Sequence, residues 1–111
     1  MYNITLYIMT STQYISFSKI YKITNTVDDK FYVGSTIYTL EKRLKYHKLN
    51  VERRPTMPVY KHIEDNVGWE NISIELLEQC QGITTKDELR QREQHYINLL
   101  KDDNCLNVRR A

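Results

Sequence analysis

Cysteine is scarce. Only Cys80 and Cys105 occur, far apart and outside any Cys-x-x-Cys pair. A structural zinc site needs more ligands at closer spacing, so none is expected. Two reduced thiols in an intracellular protein are the expectation instead. The three histidines, His47, His62 and His95, form no His-x-x-x-His pair. No apolar run approaches the length of a membrane span. The opening residues lack the cationic start and long apolar stretch of a secretory signal. Repeats, low-complexity tracts and linkers are missing too. Charge of one sign is in short supply, with 16 Lys and Arg against 14 Asp and Glu, a net +2. That mild excess is weak evidence for a polyanionic partner.

What is present fits one small domain. The 111 residues suffice for one core and not for two. A 41% hydrophobic and 27% charged composition excludes a disordered chain. Nine tyrosines stand out. They pack well while keeping a polar tip, and packing alone accounts for most of them. Basic residues gather locally at Lys42, Arg43, Lys45, Lys48, Arg53 and Arg54. On charge alone that is as readily a solvated helix face as a polyanion-binding one.

Two β-prone runs flank a polar Asn/Asp turn, which predicts a hairpin over about residues 19 to 35. Thr39 is a plausible N-cap for a helix carrying Leu40, Leu44 and His47 at helical spacing. A second helix should run from Val59 to Asn66 and end at Val67-Gly68. Alternation predicts a third strand from Asn71 to Glu78. Thr85 and Glu88 form a capping box that opens a last helix, through about Lys101. Residues 105–108 make a short tail. The order β-β-α-α-β-α predicts an α+β fold, a small, mainly antiparallel three-stranded sheet flanked by helices. Residues 1–18 read as an N-terminal extension. Alternation at Tyr2, Ile4, Leu6 and Ile8 suits an extra edge strand, loose chain is the alternative, and Met9 is a competing start.

Several residues break these patterns. Glu93 lies inside the last helix's apolar stripe of Leu89, Tyr96, Ile97 and Leu100. It either pairs with Arg90 or Lys101 at the stripe's border, or faces a divalent cation. Arg43 and His47, four apart, share a face beside Leu40 and Leu44. Arginine can grip a phosphate and histidine can move a proton. The plainer alternative is a half-exposed arginine and a hydrogen-bonded boundary histidine. In the hairpin, Tyr21 and Tyr32 would ordinarily be packing residues. Gly34 implies close backbone approach or a bend. The run Gly34-Ser35-Thr36 also has the look of a weak anion-binding turn.

Taken together and in this order, these residues resemble the GIY-YIG nuclease family. Lys19-Ile20-Tyr21 matches its first motif and Tyr32-Val33-Gly34 its second. Arg43 and His47 match the family's helix arginine and the histidine one turn later. Glu93 matches its metal-binding glutamate and Asn107 its late asparagine. The likeness covers about residues 18 to 108, in the manner of the catalytic module of phage-type intron homing endonucleases. Lys19 stands where the family has glycine, and Val33 where it has isoleucine. The separate DNA-binding domain that usually accompanies this module is not seen in the sequence.

The resemblance implies a nuclease domain over residues 19–111 and a divalent-metal-dependent DNA endonuclease. One Mg²⁺, or Mn²⁺, would sit on Glu93 and a phosphate oxygen. Tyr21 would activate or orient a water. Tyrosine ordinarily titrates near about 10, so the site must lower that value or relay the proton through water or His47. Arg43 would stabilise developing charge. Tyr32 and His47 would position phosphate and water, with Gly34 and Asn107 in support. Lys42, Lys45, Lys48, Arg53 and Arg54 would contact DNA, expected to be double-stranded. A monomer is favoured, acting inside a cell, with a virus, phage or mobile element as its source. The alternative is a non-catalytic nucleic-acid-binding module on the same fold.

Overall fold

Asn25 builds the turn from which the sheet starts. Its Oδ1 accepts the backbone N–H groups of Val27 at 2.8 Å and Asp28 at 2.7 Å, the Asx geometry that lets a side chain stand in for a backbone turn. Asp28 in turn accepts the Lys30 N–H at 2.9 Å. The flanking strands are β1 (Lys19–Asn25) and β2 (Tyr32–Thr36), paired antiparallel with Tyr21 opposite Gly34. The computed structural model describes residues 17–83 and 85–107. The edge strand expected near residues 2–8 lies outside them.

Helix α1 (Leu40–Asn50) is capped by Thr39, whose hydroxyl accepts the Lys42 N–H at 3.2 Å. Helix α2 (Pro58–His62) is shorter than the sequence suggests. Its continuation widens into a π turn over Ile63–Val67. There the Gly68 N–H reaches the Ile63 carbonyl, five residues back, at 2.7 Å. Gly68 has a φ of 89°, which lets the chain leave the helix. Strand β3 (Ile72–Gln79) follows, one residue later than the alternation indicates. Helix α3 (Lys86–Leu100) opens at the capping box, with the Thr85 hydroxyl accepting the Glu88 N–H at 3.1 Å.

The described residues form a three-stranded antiparallel sheet in the order β2-β1-β3. This is the α+β architecture the sequence indicated. Helix α3 covers one face, over a core of Ile20, Phe31, Val33, Cys80, Leu89 and Ile97. On the other face, Val59, Tyr60 and Ile63 of the second helical segment pack with Tyr32, Trp69 and Ile72.

Two irregularities shape the edges of this sheet. The β1–β3 ladder passes from Ile20 opposite Glu78 to Tyr21 opposite Leu76, leaving Leu77 as the extra residue of a bulge. The bulge lets Leu77 pack on the α3 core while Glu78 reaches the same helix. Glu78 accepts both Arg92 Nε (2.8 Å) and the Tyr96 hydroxyl (2.7 Å), which fixes α3 against β3. The second irregularity is the C-terminal tail. It is not loose, because Phe31 and Cys105 form a parallel bridge along the outer edge of β2.

Candidate active site

Tyr21 sits at the centre. Its side chain is fully buried, and its ring lies across Gly34 of the neighbouring strand. A Cβ on Gly34 would come within 2.4 Å of the Tyr21 hydroxyl oxygen. The glycine therefore supplies space rather than an unusual backbone conformation. Gly34 to Thr36 are strand residues paired with β1, so the anion-binding turn suggested by that run does not exist.

The Tyr21 hydroxyl meets two groups from α1. Arg43 donates to it through Nε at 3.0 Å, and His47 Nε2 lies 2.6 Å away. Arg43 and His47 are one helical turn apart, so both point at the same strand. His47 is 1% exposed and is the buried residue of α1. It is therefore not a boundary residue, and it meets the rest of the site through Tyr21. Its other nitrogen, Nδ1, is 2.8 Å from the hydroxyl of Tyr60 on α2. Asn50, at the end of α1, lies close enough to that hydroxyl to pull its pKa down against the effect of burial. Tyr60 has no motif signature. A tyrosine between Val59 and Ile63 reads as packing, and only the fold reveals its partner.

Burial dominates the electrostatics. It pushes the Tyr21 hydroxyl well above the usual tyrosine range, and Arg43 opposes the shift without cancelling it. The expectation that the site lowers this pKa is thus corrected; of the two routes, proton relay is the one the geometry offers. Burial and then the Glu93 charge carry Tyr32 up to about 12. Burial, with Arg43 alongside, takes His47 down to about 3, so the imidazole is neutral near pH 7. A neutral imidazole has one donor and one acceptor nitrogen. It can therefore link Tyr21 to Tyr60 in a single directed chain.

Tyr32 stacks edge-on against His47, with ring centroids 5.9 Å apart. None of the described residues hydrogen-bonds its hydroxyl. Every fully buried polar side-chain atom among them has a partner, so the Tyr32 hydroxyl opens to solvent. Asn107 reaches β2 from the tail. Its Oδ1 accepts the Val33 N–H at 2.9 Å and its Nδ2 donates to the Val33 carbonyl at 2.8 Å. One side-chain amide thus completes the ladder on the outer edge of the strand that carries Tyr32 and Gly34.

Glu93 comes from the opposite layer. The Arg92–Glu78 clamp fixes its turn of α3, and Ser35 of β2 donates to Glu93 Oε1 at 2.5 Å. Neither Arg90 nor Lys101 forms an ion pair with it; Arg90 pairs with Asp87 at 3.0 Å. Burial raises the Glu93 pKa, and the Ser35 hydrogen bond with the Arg43 and Arg90 charges only partly offsets that. Its charge registers on both Tyr21 and Tyr32. Glu93 therefore lies near enough to both tyrosines for its charge to act on them. Ser35 is a site residue that sequence reasoning passed over.

Among the described residues no three His, Cys, Asp or Glu side chains cluster as a metal cage. A single half-buried carboxylate without a cationic partner suits Mg²⁺, which keeps several waters and takes substrate phosphate oxygens. It does not suit zinc, which needs three or four protein ligands. Lys42, Lys45, Lys48, Arg53 and Arg54 are all exposed. Arg54 lies near enough for its charge to act on Tyr32 and Tyr60. No helix among the described residues is long and apolar enough to cross a membrane.

Both the sequence and the fold of this chain have known counterparts. A family model described as the GIY-YIG catalytic domain matches residues 17–107. Protein 019R of Invertebrate iridescent virus 6 is 34% identical over 88 residues, covering 79% of this chain and 31% of the relative. The MSV199 domain-containing protein 146R of the same virus is 35% identical over 89 residues, covering 80% of this chain and 34% of the relative. The chain thus spans about a third of the length of these two proteins. Among solved structures, the catalytic domain of homing endonuclease I-TevI superposes with a TM-score of 0.64 at 27% identity, over 83% of this chain and 98% of that one. A point mutant of the same domain gives 0.67 at 28% identity, over 85% and 95%.

Proposed function

This chain belongs to the GIY-YIG catalytic domain family, and from that membership we propose that it hydrolyses phosphodiester bonds of double-stranded DNA with the help of a divalent cation, Mg²⁺ or Mn²⁺. One observation carries the reading. The Tyr21 hydroxyl is held between Arg43 Nε at 3.0 Å and His47 Nε2 at 2.6 Å, beside the Ser35–Glu93 pair.

Glu93 would hold the cation, which when bound supplies Lewis-acid polarisation of a phosphate oxygen and charge for the leaving oxygen. The remaining chemistry belongs to side chains. With Nε taken by Tyr21, Arg43 keeps its terminal nitrogens for the non-bridging oxygens of the phosphate. The solvent-facing Tyr32 hydroxyl donates to the same group. Tyr21, buried in the free protein, would meet the attacking water once the bound duplex brings it to that hydroxyl, accepting its proton while passing its own to His47 Nε2. The Tyr60 oxygen, accepting from Nδ1–H, steadies the transient imidazolium. Burial makes that cation a strong acid, so it returns the proton promptly. The exposed residues Lys42, Lys45, Lys48, Arg53 and Arg54 would track the backbone of the duplex. The viral relatives support an infected cell as the place of action, and the chain would act as a monomer.

The test is cleavage of supercoiled plasmid by wild type, Glu93→Gln, Arg43→Ala and Tyr21→Phe, each with Mg²⁺ and with a chelator. Wild type should nick only with the cation, and each variant should lose at least about a hundredfold in rate. Equal nicking by wild type and all three variants would overturn the proposal. Salt-sensitive binding with no cleavage under any divalent metal would replace it with a DNA-binding module.

A further inference from the structure

Beside the catalytic groups lies a cavity of about 310 Å³ between the β2–α1 loop and the first half of α3. Arg43 forms its wall toward Tyr21. Lys86, Leu89 and Arg90 of α3 line it as well, together with Tyr38 of the β2–α1 loop. Three cations thus converge on one small hollow. Arg90 pairs with Asp87 through side chains that are 58% and 82% exposed, a contact water screens and an anion can displace. Lys86 has no ion pair among the described residues. Tyr38 is 42% exposed and offers ring surface at the mouth.

One of the two departures from the family motifs, Lys19, secures Tyr38 in this lining. Lys19 Nζ donates to the Tyr38 carbonyl at 3.2 Å and the Phe17 carbonyl at 3.1 Å. A glycine in its place could not tie the loop to the start of β1. The Lys19 charge is therefore spent on holding Tyr38 in position, not on ligand.

We propose that this hollow is a second DNA subsite. In it Lys86 and Arg90 grip the backbone phosphate next to the scissile one, and Tyr38 packs against the attached nucleotide. The proposal rests on the nuclease reading, because Arg43 belongs to both the hollow and the catalytic centre. The volume lies at the small end of ligand pockets, which run from about 300 to 1,000 Å³, so one nucleotide unit fits and a folded polymer does not. Its charge selects an anion. Its open side, continuous with Arg43, admits a strand already engaged at Tyr21.

The test uses the cleavage-deficient Glu93→Gln protein and a labelled duplex, with binding followed by fluorescence anisotropy between about 50 and 200 mM salt. Adding Lys86→Ala and Arg90→Ala together should reduce the slope of log affinity against log salt by about 0.9, the value for the one phosphate contact they share. Lys101→Ala, a cation at the far end of α3, should leave the slope unchanged. Tyr38→Ala should weaken binding several-fold at an unaltered slope. Thermal melting of each variant checks that the fold persists. An unchanged slope in the Lys86/Arg90 variant overturns the subsite. Wild-type cleavage would then still stand as a separate result. No duplex affinity in the Glu93→Gln background, together with no cleavage by wild type, would sink both readings.

Discussion

His47 Nδ1 and the Tyr60 hydroxyl lie 2.8 Å apart in a space closed to solvent. With Nδ1–H donating to Tyr60, Nε2 is left as the acceptor for Tyr21. Tyr60→Phe keeps the ring and removes the oxygen, leaving Nδ1 without a partner in a buried site. The expected cost is about 1–3 kcal/mol of stability, from the unmade hydrogen bond. Cleavage should slow as well, with kcat falling and KM for DNA little changed, because Tyr60 touches no substrate. A fall in KM-linked binding alone, with kcat intact, would show that Tyr60 only packs.

Much of this site was legible because it violates the patterns around it. Arg43, His47 and Glu93 interrupt helix stripes that would otherwise be apolar, and burying such groups without a partner is costly. Thr39, Thr85 and the Asn25 turn announced the elements through local hydrogen bonds. Tyr60 and Ser35 were hidden for the opposite reason. Each fits its local pattern, and each gains its role from a residue far away in the chain. The Glu78–Arg92 clamp was invisible for the same cause, and so was the tail pairing on β2. The π turn at Ile63–Val67 keeps an apolar spacing that reads as ordinary helix. His47 reads as a candidate from the sequence, but its depth becomes visible only with the second helical layer.

Acid should destabilise the fold through His47. Its folded pKa is near 3, against about 6.5 in an unfolded chain. Between these values the unfolded state binds the extra proton, so stability rises with pH. The contribution is complete above about pH 6.5 and is lost as the pH falls toward 3, at up to about 1.4 kcal/mol per unit. Glu93 acts in the other sense: its raised pKa contributes stability that is fully present below the ordinary carboxylate range and is lost as the pH rises through it. Urea midpoints measured at pH 7, 6, 5 and 4 should fall steadily for wild type. In His47→Gln they should start lower and fall less steeply. Parallel slopes in the two proteins would contradict a buried neutral imidazole.

Gly34→Ala tests whether the catalytic hydroxyl depends on an absent side chain. The added Cβ meets the Tyr21 oxygen at 2.4 Å and its Cζ at 2.5 Å. The ring can escape only by leaving Arg43 and His47. A displacement of about 1 Å at such a group can cost about a hundredfold in rate. The variant should therefore bind duplex DNA near wild-type strength and cut it at least that much more slowly. An unimpaired cutting rate would mean that Tyr21 need not hold the observed position.

Asn107 closes the outer edge of β2 with two hydrogen bonds to one residue, Val33. Exposed strand edges otherwise leave such groups to water or to another chain. Asn107→Ala removes both bonds at a half-buried position, where water can replace them in part. The expected loss is about 1–2 kcal/mol, or a melting temperature lower by roughly 5–10 °C for a domain of this size. The effect should be local before it is global. Amide exchange at Val33 should accelerate far more than at Ile23 on the central strand. Tyr32 and Gly34 flank Val33, so cleavage should fall as the edge loosens, and Asn107→Asp should not restore it because a carboxylate has no N–H for the Val33 carbonyl. Unaltered exchange at Val33 in Asn107→Ala would show that the ladder does not need this amide.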